Sequence, residues 1–315
     1  MDYLQDAVYS GLVRILGRGN IRSYRWSKWH HLPIYKHPKN IGYDHFELPR
    51  RAIKKSGLSQ FTHIIIGSCK AATFQDFLEV QRYLRRDAKI VFLDGGDDSD
   101  IGGDLKREGA DQLFLDSISS RPFDFIFKRE MLLCKNYPPN TLPLNFAVDF
   151  GKLEVKALPK RFDVVFWAVE SHPIRKQVLQ ALDGEFDCRA NGSVPNQTFR
   201  NYRRRGTDYI RGIMESRITL NYRGAGWDTL RYWEVTSLGQ FLISQRPEIQ
   251  ILNNFEHEKS IVFVGADPEE MLDRCMYYLR NNLDATRIGQ CAAEHSRKYH
   301  TLEARAKFIL EKISY

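Results

Sequence analysis

The chain has 315 residues, and none of its apolar runs approaches the ~18 to 20 residues that a membrane-spanning helix needs. Its opening, MDYLQDAVYSGL, carries acids early and lacks the basic-then-apolar pattern of an export signal, so a cytoplasmic location is expected. Cysteine is scarce. Cys69, Cys134, Cys188, Cys275 and Cys291 are scattered without a CxxC pair or a metal-like grouping, so reduced thiols are expected, with neither a disulfide framework nor a metal site. Low-complexity tracts and fixed-period repeats are missing too, which excludes disordered and solenoid classes. Aromatic residues are plentiful, so a real core is expected. The net charge of +8 is spread over both halves rather than gathered in a tail. That balance suits phosphate-bearing ligands, anionic membrane surfaces or nucleic acid, and alone selects none of them.

What is present is a strand-then-helix pattern in two blocks. THIIIGS (62–68) and AKIVFLDGG (88–96) are short β-branched runs that end in Gly or Asp, the pattern of buried parallel strands that feed loops. Between them, Thr73 to Arg86 has helical spacing, with Phe74, Phe77, Leu78 and Tyr83 or Leu84 on one side. Asp111 to Leu115 and Phe123 to Phe127 read as further strands. Near the start, Tyr3 to Leu16 reads as an amphipathic helix with Leu4, Val8 and Leu12 inward; no strand precedes it. The prolines of residues 137–146 and 156–160 resist both helix and strand, which places the domain junction there.

The second block restarts with RFDVVFWAV (161–169), a buried-strand pattern. A helix from about Ile174 to Leu182 follows, introduced by Ser171, His172 and Pro173. SRITLNY (216–222), GQFLISQ (239–245) and KSIVFVG (259–265) are the next strands, alternating with helices at about Asp228 to Ser237 and Pro268 to Asn281. Helices at Ala285 to Tyr299 and Thr301 to Ile313 close the chain. This alternation predicts an α/β protein of two doubly wound parallel sheets, with ligands outside the carboxyl ends of the strands.

The chemistry concentrates in LNYRGAGWDTLRYWEVTSLGQFLIS (220–244), where a strand runs into a Gly-rich turn and then a helix capped by Asp228 or begun near Gly226. Gly224 and Gly226 let backbone N–H groups approach a ligand, and a helix N-terminus favours an anion. Arg231 and Glu234 lie three apart, hence on one helix face. Guanidinium can meet phosphate there while the carboxylate accepts from ribose hydroxyls. The same spacing also fits an ordinary surface ion pair.

RGAGWDTLRYWEVTSLGQFLIS resembles the donor-binding segment of GT-B glycosyltransferases, especially exostosin-like and spore-maturation (CgeB-type) ones. The matching residues are Arg223, Gly224, Arg231, Glu234 and Gly239. The resemblance continues through RPEIQILNNFEHEKSIVFVGADPEEMLDRCMYYLRN to HSRKYHTLEARAKFIL, and less specifically covers DYLQDAVYSGLVRILG and FDFIFKREML. It implies a GT-B fold of two Rossmann-like domains facing across a cleft, with an acceptor domain at 1–155, a donor domain at 156–298, and a last helix at 299–315 crossing back. It implies a glycosyltransferase that needs no cofactor and no metal. The donor would be a nucleoside diphosphate sugar, a UDP-sugar first of all, and the acceptor a glycan, glycolipid or protein, with peripheral contact at the inner membrane face. By position, Glu234 would hold the ribose, while Arg223, Gly224, Gly226, Asp228, Thr229 and Arg231 would face the diphosphate; Arg175 and Lys176, just inside a helix after a strand, read either as a second phosphate clamp or as plain helix-surface residues. One departure is plain: the Glu-x7-Glu pair of many retaining members would put its first Glu at Gly226.

An inverting transfer needs a base for the acceptor hydroxyl. DGGDDSD (94–100) follows a strand of the first domain, so Asp97 and Asp98 are the candidates, with Asp94 beside them; a solvated acidic turn is the other reading. Asp6, His45, Glu170 and His172 are weaker candidates, and Lys128 with Arg129 reads either as cleft-facing or as an exposed basic pair. Arg14, Arg18, Arg22 and Arg25, and the cluster RNYRRR (200–205), suit an anionic acceptor, a membrane leaflet or DNA phosphates, or a solvated face. A DNA-modifying transferase and a non-catalytic sugar-binding module are therefore the alternative functions.

Overall fold

The computed structural model describes residues 2–24, 53–151, 153, 157–168, 170–186 and 206–314. Within them, the alternation builds two parallel four-stranded sheets. The first holds β1 (His63–Ile66), β2 (Lys89–Asp94), β3 (Phe125–Lys128) and β4 (Thr141–Pro143) side by side in chain order. Ile66 pairs with Phe92, Asp94 with Lys128, and Lys128 with Pro143, so the later strands end level.

Strand β2 explains why both faces of this sheet are covered, because its successive side chains point to opposite sides. Ile90 and Phe92 pack with Phe74 and Phe77 of α2 (Ala71–Val80), with Phe123, and with α4 (Asp111–Ser120), which the short α3 (Gly103–Arg107) precedes. Val91 and Leu93 face Leu4 and Val8 of α1 (Tyr3–Leu16) and Ile309 of α10 (Leu302–Ile313). Each ring buried in the Phe74, Phe92 and Phe123 cluster contributes roughly 1.5 to 3 kcal/mol.

The second sheet runs β5 (Phe162–Val165), β6 (Ser216–Asn221), β7 (Leu242–Gln245) and β8 (Val262–Val264), again in chain order. Val164, Ile218, Leu220 and Ile243 pack under α5 (Pro173–Leu182) and α8 (Pro268–Arg280). Val165, Leu242 and Phe263 face α6 (Gly206–Met214), α7 (Leu230–Ser237) and α9 (Asn282–Tyr299). His172 caps α5 by accepting from the N–H of Ile174 at 3.3 Å, and Asp267 caps α8 through Glu269 at 3.0 Å.

The chain then returns to its first half. Helix α10 lies on α1, so close at Gly11 that a Cβ there would stand 2.3 Å from the Leu302 carbonyl oxygen. Arg14 of α1 donates to Asp149 at 2.6 Å and to Glu303 of α10 at 2.9 Å. No helix among the described residues is long and apolar enough to cross a membrane.

Three expectations change. Residues 111–115, read as a strand, open α4; a five-residue window does not separate one helical face from strand alternation. The proline-rich stretch contains β4, which pairs with β3 alone among the described residues; at this edge and at the strand's end, Pro143 needs no N–H for the ladder. Both sheets also keep chain order, without the reversal that doubly wound sheets show, among the described residues.

Candidate active site at the seam of the two sheets

The carboxyl ends of the two sheets are tied together by side chains from both halves. Glu130, just past β3, accepts from the N–H groups of Trp227 at 2.8 Å and Asp228 at 2.9 Å. Gly226 makes room for it, since a Cβ there would stand 2.4 Å from Glu130 Oε1 and 3.1 Å from Arg129 Nη2. Asp228 answers from the other side, accepting from the N–H of Phe146 at 2.8 Å and from Trp233 Nε1 at 2.5 Å. Backbone bonds from Leu133 to Glu248 at 2.9 Å and from Gln250 to Met131 at 2.7 Å extend the seam. Burial pushes the Asp228 carboxyl up to about 7, with Arg129 opposing and Glu130 adding to the shift. Burial raises Glu130 likewise, against the pull of Arg129 and of the two amides it binds.

Helix α7 begins one residue after its expected cap. Thr229 occupies the N-cap, and its hydroxyl donates to Asn221 Oδ1 at 2.7 Å, so no side chain caps the first turn. Around that end stand Arg175, Arg223 and Arg231. The Arg175 guanidinium donates to the carbonyls of Tyr222 at 3.0 Å and Arg223 at 2.8 Å, which makes it the brace of the loop after β6. Burial, and then the Arg231 charge, lower its pKa. Arg223 lies 4.3 Å from the Trp227 ring centroid, and Arg231 lies 5.3 Å from that of Phe166. In both, a buried Nε–H has no acceptor. His172 registers the same field: its pKa is lowered by desolvation, then by Arg223 and Arg175. Gly224 lets the loop pass close to this brace: a Cβ there would stand 2.9 Å from Arg175 Nη2, which would have to shift. Burial first and then the charge of Glu234 raise the pKa of Tyr209, with Arg231 opposing, so Tyr209 lies in the field of this α7 pair, of which Glu234 is buried.

In the acidic turn the carboxylates divide their roles. Asp94 is buried and accepts from Lys128 Nζ and from the N–H of Gly102, each at 3.0 Å. Asp98 accepts from the N–H of Asp100 at 2.8 Å, and Asp104 holds the amides of Asp97 and Asp98. These three build the turn. Asp97 instead points outward, ion-paired with Arg129, into a cavity of about 280 Å³ whose walls include Tyr3, Lys70, Phe146 and Leu230. That cavity joins the acidic turn to the start of α7. Lys128 and Arg129 are both buried, so they form no exposed basic pair.

Asp6 is buried in α1 and Glu170 is half-buried before α5. Cys188, His45, Arg25 and residues 200–205 lie outside the described residues. Sequence reasoning missed Glu130 and Tyr209. Glu130 follows Lys128 and Arg129 and reads there as part of a solvated charge run; its partners are 97 and 98 residues away.

Residues 175–311 match the family model described as glycosyl transferase-like, a span from α5 through most of α10. No curated protein matches the chain by sequence. Among solved structures, sucrose-phosphate synthase from Thermosynechococcus elongatus superposes with a TM-score of 0.56 at 10% identity, over 81% of this chain and 73% of that one. The Anabaena protein HepE in complex with UDP-glucose gives 0.50 at 10% identity, over 82% and 80%. An alpha-glucosyltransferase in complex with UDP and a mismatch-containing DNA gives 0.50 at 11%, over 82% and 80%. At these identities the likeness is one of fold, two Rossmann-like halves in the GT-B arrangement, and the match to the family model is confined to the second half.

Proposed function

We propose that this chain transfers a sugar from a nucleoside diphosphate sugar, a UDP-sugar in the first instance, to an acceptor hydroxyl. The observation that carries the reading is the pair of buried Nε–H groups of Arg223 and Arg231 without acceptors, beside the uncapped N-terminus of α7. Buried donors of a cation call for an anion, and a diphosphate supplies one at the place where a helix N-terminus favours it. Leaving-group charge develops there during transfer, so these fixed groups stabilise the transition state more than the ground state. Glu234, three residues past Arg231 on α7 and buried, accepts from the ribose hydroxyls. Asp97 takes the acceptor's proton from the cavity it lines, while Asp98 holds the turn. The exostosin-like variant fits best, because Gly226 removes the first acid of a Glu-x7-Glu pair; the Glu130 carboxylate occupies the space beside it.

The test is calorimetry and thermal shift of the full chain with UDP, GDP and their sugars. A bound nucleotide should raise the melting temperature by mass action. Glu234→Ala in a folded variant should weaken nucleoside diphosphate binding by more than about tenfold. If no nucleoside diphosphate stabilises the protein, or the variant binds as tightly as the parent, the donor site is wrongly placed. Glycans, glycolipids and proteins are the acceptor classes, with contact at the inner membrane face. A nucleic-acid acceptor is a second reading, favoured by the net charge of +8. It falls if no salt-sensitive mobility shift with DNA is seen at low ionic strength.

A further inference from the structure

Residues 131–133, just past Glu130, run antiparallel to residues 248–250 of the other half. The N–H of Leu133 donates to the Glu248 carbonyl at 2.9 Å, and that of Gln250 donates to the Met131 carbonyl at 2.7 Å. These bonds flank the facing pair Leu132 and Ile249, so three residues from each half form one ring of an antiparallel ladder, outside both sheets. Met131 and Ile249 are buried, so this strap is packed as well as bonded.

The strap also reaches the acidic turn. The N–H of Leu132 donates to the Tyr137 hydroxyl oxygen at 3.1 Å, and that hydroxyl donates in turn to the Ser99 carbonyl at 3.0 Å. Ser99 stands two residues past Asp97. The turn after β4 braces the same place, because Asn145 Nδ2 donates to the Gln250 carbonyl at 3.2 Å.

The result is a cross-brace. The turn after β3 holds residues 227–228 through Glu130 and residues 248–250 through the strap. The turn after β4 holds the same two stretches, Asp228 through the N–H of Phe146 and Gln250 through Asn145. Each turn of the first half therefore holds both stretches of the second. Main-chain groups supply at least one partner of every bond, and a main-chain group has no rotamer to swing away on. A hinge needs a few residues that absorb the change in φ and ψ while the contacts elsewhere part freely. Here a rotation that frees one stretch pulls on the other. We infer that the two halves do not hinge: the strap holds them as one body, and the gap between the acidic turn and the loop carrying Arg223 is set before any ligand arrives. A cleft of fixed width spends no binding energy on closing. The inference concerns the molecule with or without a nucleotide, so it does not depend on the transfer reading.

The experiment joins the strap covalently. In such a ladder the Cα atoms of a pair placed like Leu132 and Ile249 stand about 4.5 Å apart, within the span that a disulfide bridges. In the full chain carrying Cys134→Ser, which removes the exposed thiol nearby, Leu132→Cys with Ile249→Cys should close a disulfide under mild oxidation. UDP affinity by calorimetry should agree within about twofold between the oxidised and reduced forms, the reduced form controlling for the substitutions themselves. A loss of about tenfold on oxidation, restored by reduction, would show that the nucleotide needs the halves to open, and would overturn the inference. Failure of the pair to cross-link would overturn it too. A second measurement needs no ligand. In the parent chain, the amides of Leu133 and Gln250 should exchange with deuterium no faster than those of β6, and faster exchange at the strap means that the halves part on their own. Should UDP bind neither the variant nor the parent, the donor site is wrongly placed, and the exchange comparison decides the strap by itself.

Discussion

Asp97 and Asp98 are neighbours in sequence and differ in what surrounds them. Asp97 faces the cavity between the acidic turn and α7, whereas Asp98 is spent on the amide of Asp100. Asp97→Asn should therefore abolish transfer while leaving UDP affinity unchanged, and Asp98→Asn should retain transfer with a lower melting temperature. Kinetics with a responsive acceptor, read beside UDP calorimetry, check both; equal loss of transfer in the two variants would remove Asp97 from the role of base. Gly226 is constrained more tightly than a flexible turn requires. In Gly226→Ala the new methyl would displace the Glu130 carboxylate from the amides of Trp227 and Asp228. The expected loss is about 1 to 3 kcal/mol of unfolding free energy, read from denaturant midpoints. An unchanged midpoint would mean that Glu130 adapts at no cost.

Among the elements, α10 shows how the two ends of the chain support each other. Its docking on α1 depends on Gly11, and Gly11→Ala drives a methyl into a backbone carbonyl that has no rotamer to escape through. A loss of about 1 to 3 kcal/mol is expected, with earlier hydrogen exchange in α10 than in β6. The α1 boundaries were legible because Leu4, Val8 and Leu12 form a helical stripe after a residue, Asp2, whose side chain accepts from the amides of Leu4 and Gln5. Strands β2, β5 and β6 were legible because apolar runs ended in loop residues. β4 and α4 were not: an edge strand can tolerate a proline, and a short run such as Leu113 to Leu115 carries no period. The segment proposed to hold the donor could be singled out because its groups are local, Arg223 to Glu234. The seam was hidden because Glu130 meets partners from the other half, and no local pattern encodes which distant amide a carboxylate will bind.

At the scale of the molecule, the seam predicts a pH dependence. Asp228, ordinarily near 3.8, is held up to about 7 by burial, and Glu130 is raised in the same direction. The folded state therefore prefers the protonated carboxyls. The contribution of Asp228 to stability is complete below its ordinary carboxylate value and is lost as pH rises toward about 7, beyond which it stays lost; Glu130 acts in the same direction. Between those limits the melting temperature of the parent should fall relative to that of Asp228→Asn, whose amide does not titrate. Scans of the two proteins from acid to neutral pH check this, and parallel curves would mean that Asp228 is not titrating in that window.

The loop that carries Arg223 is fastened to the opposite half by two of its own amides, those of Trp227 and Asp228. Those protons are sheltered only while the halves stay in register. Whenever the halves part, both are released to water together, so their deuterium uptake acts as a clock for the opening of the whole molecule. A nucleotide that slows this clock without protecting the strands of either sheet would be working as a clasp between the halves rather than as a ballast within one of them.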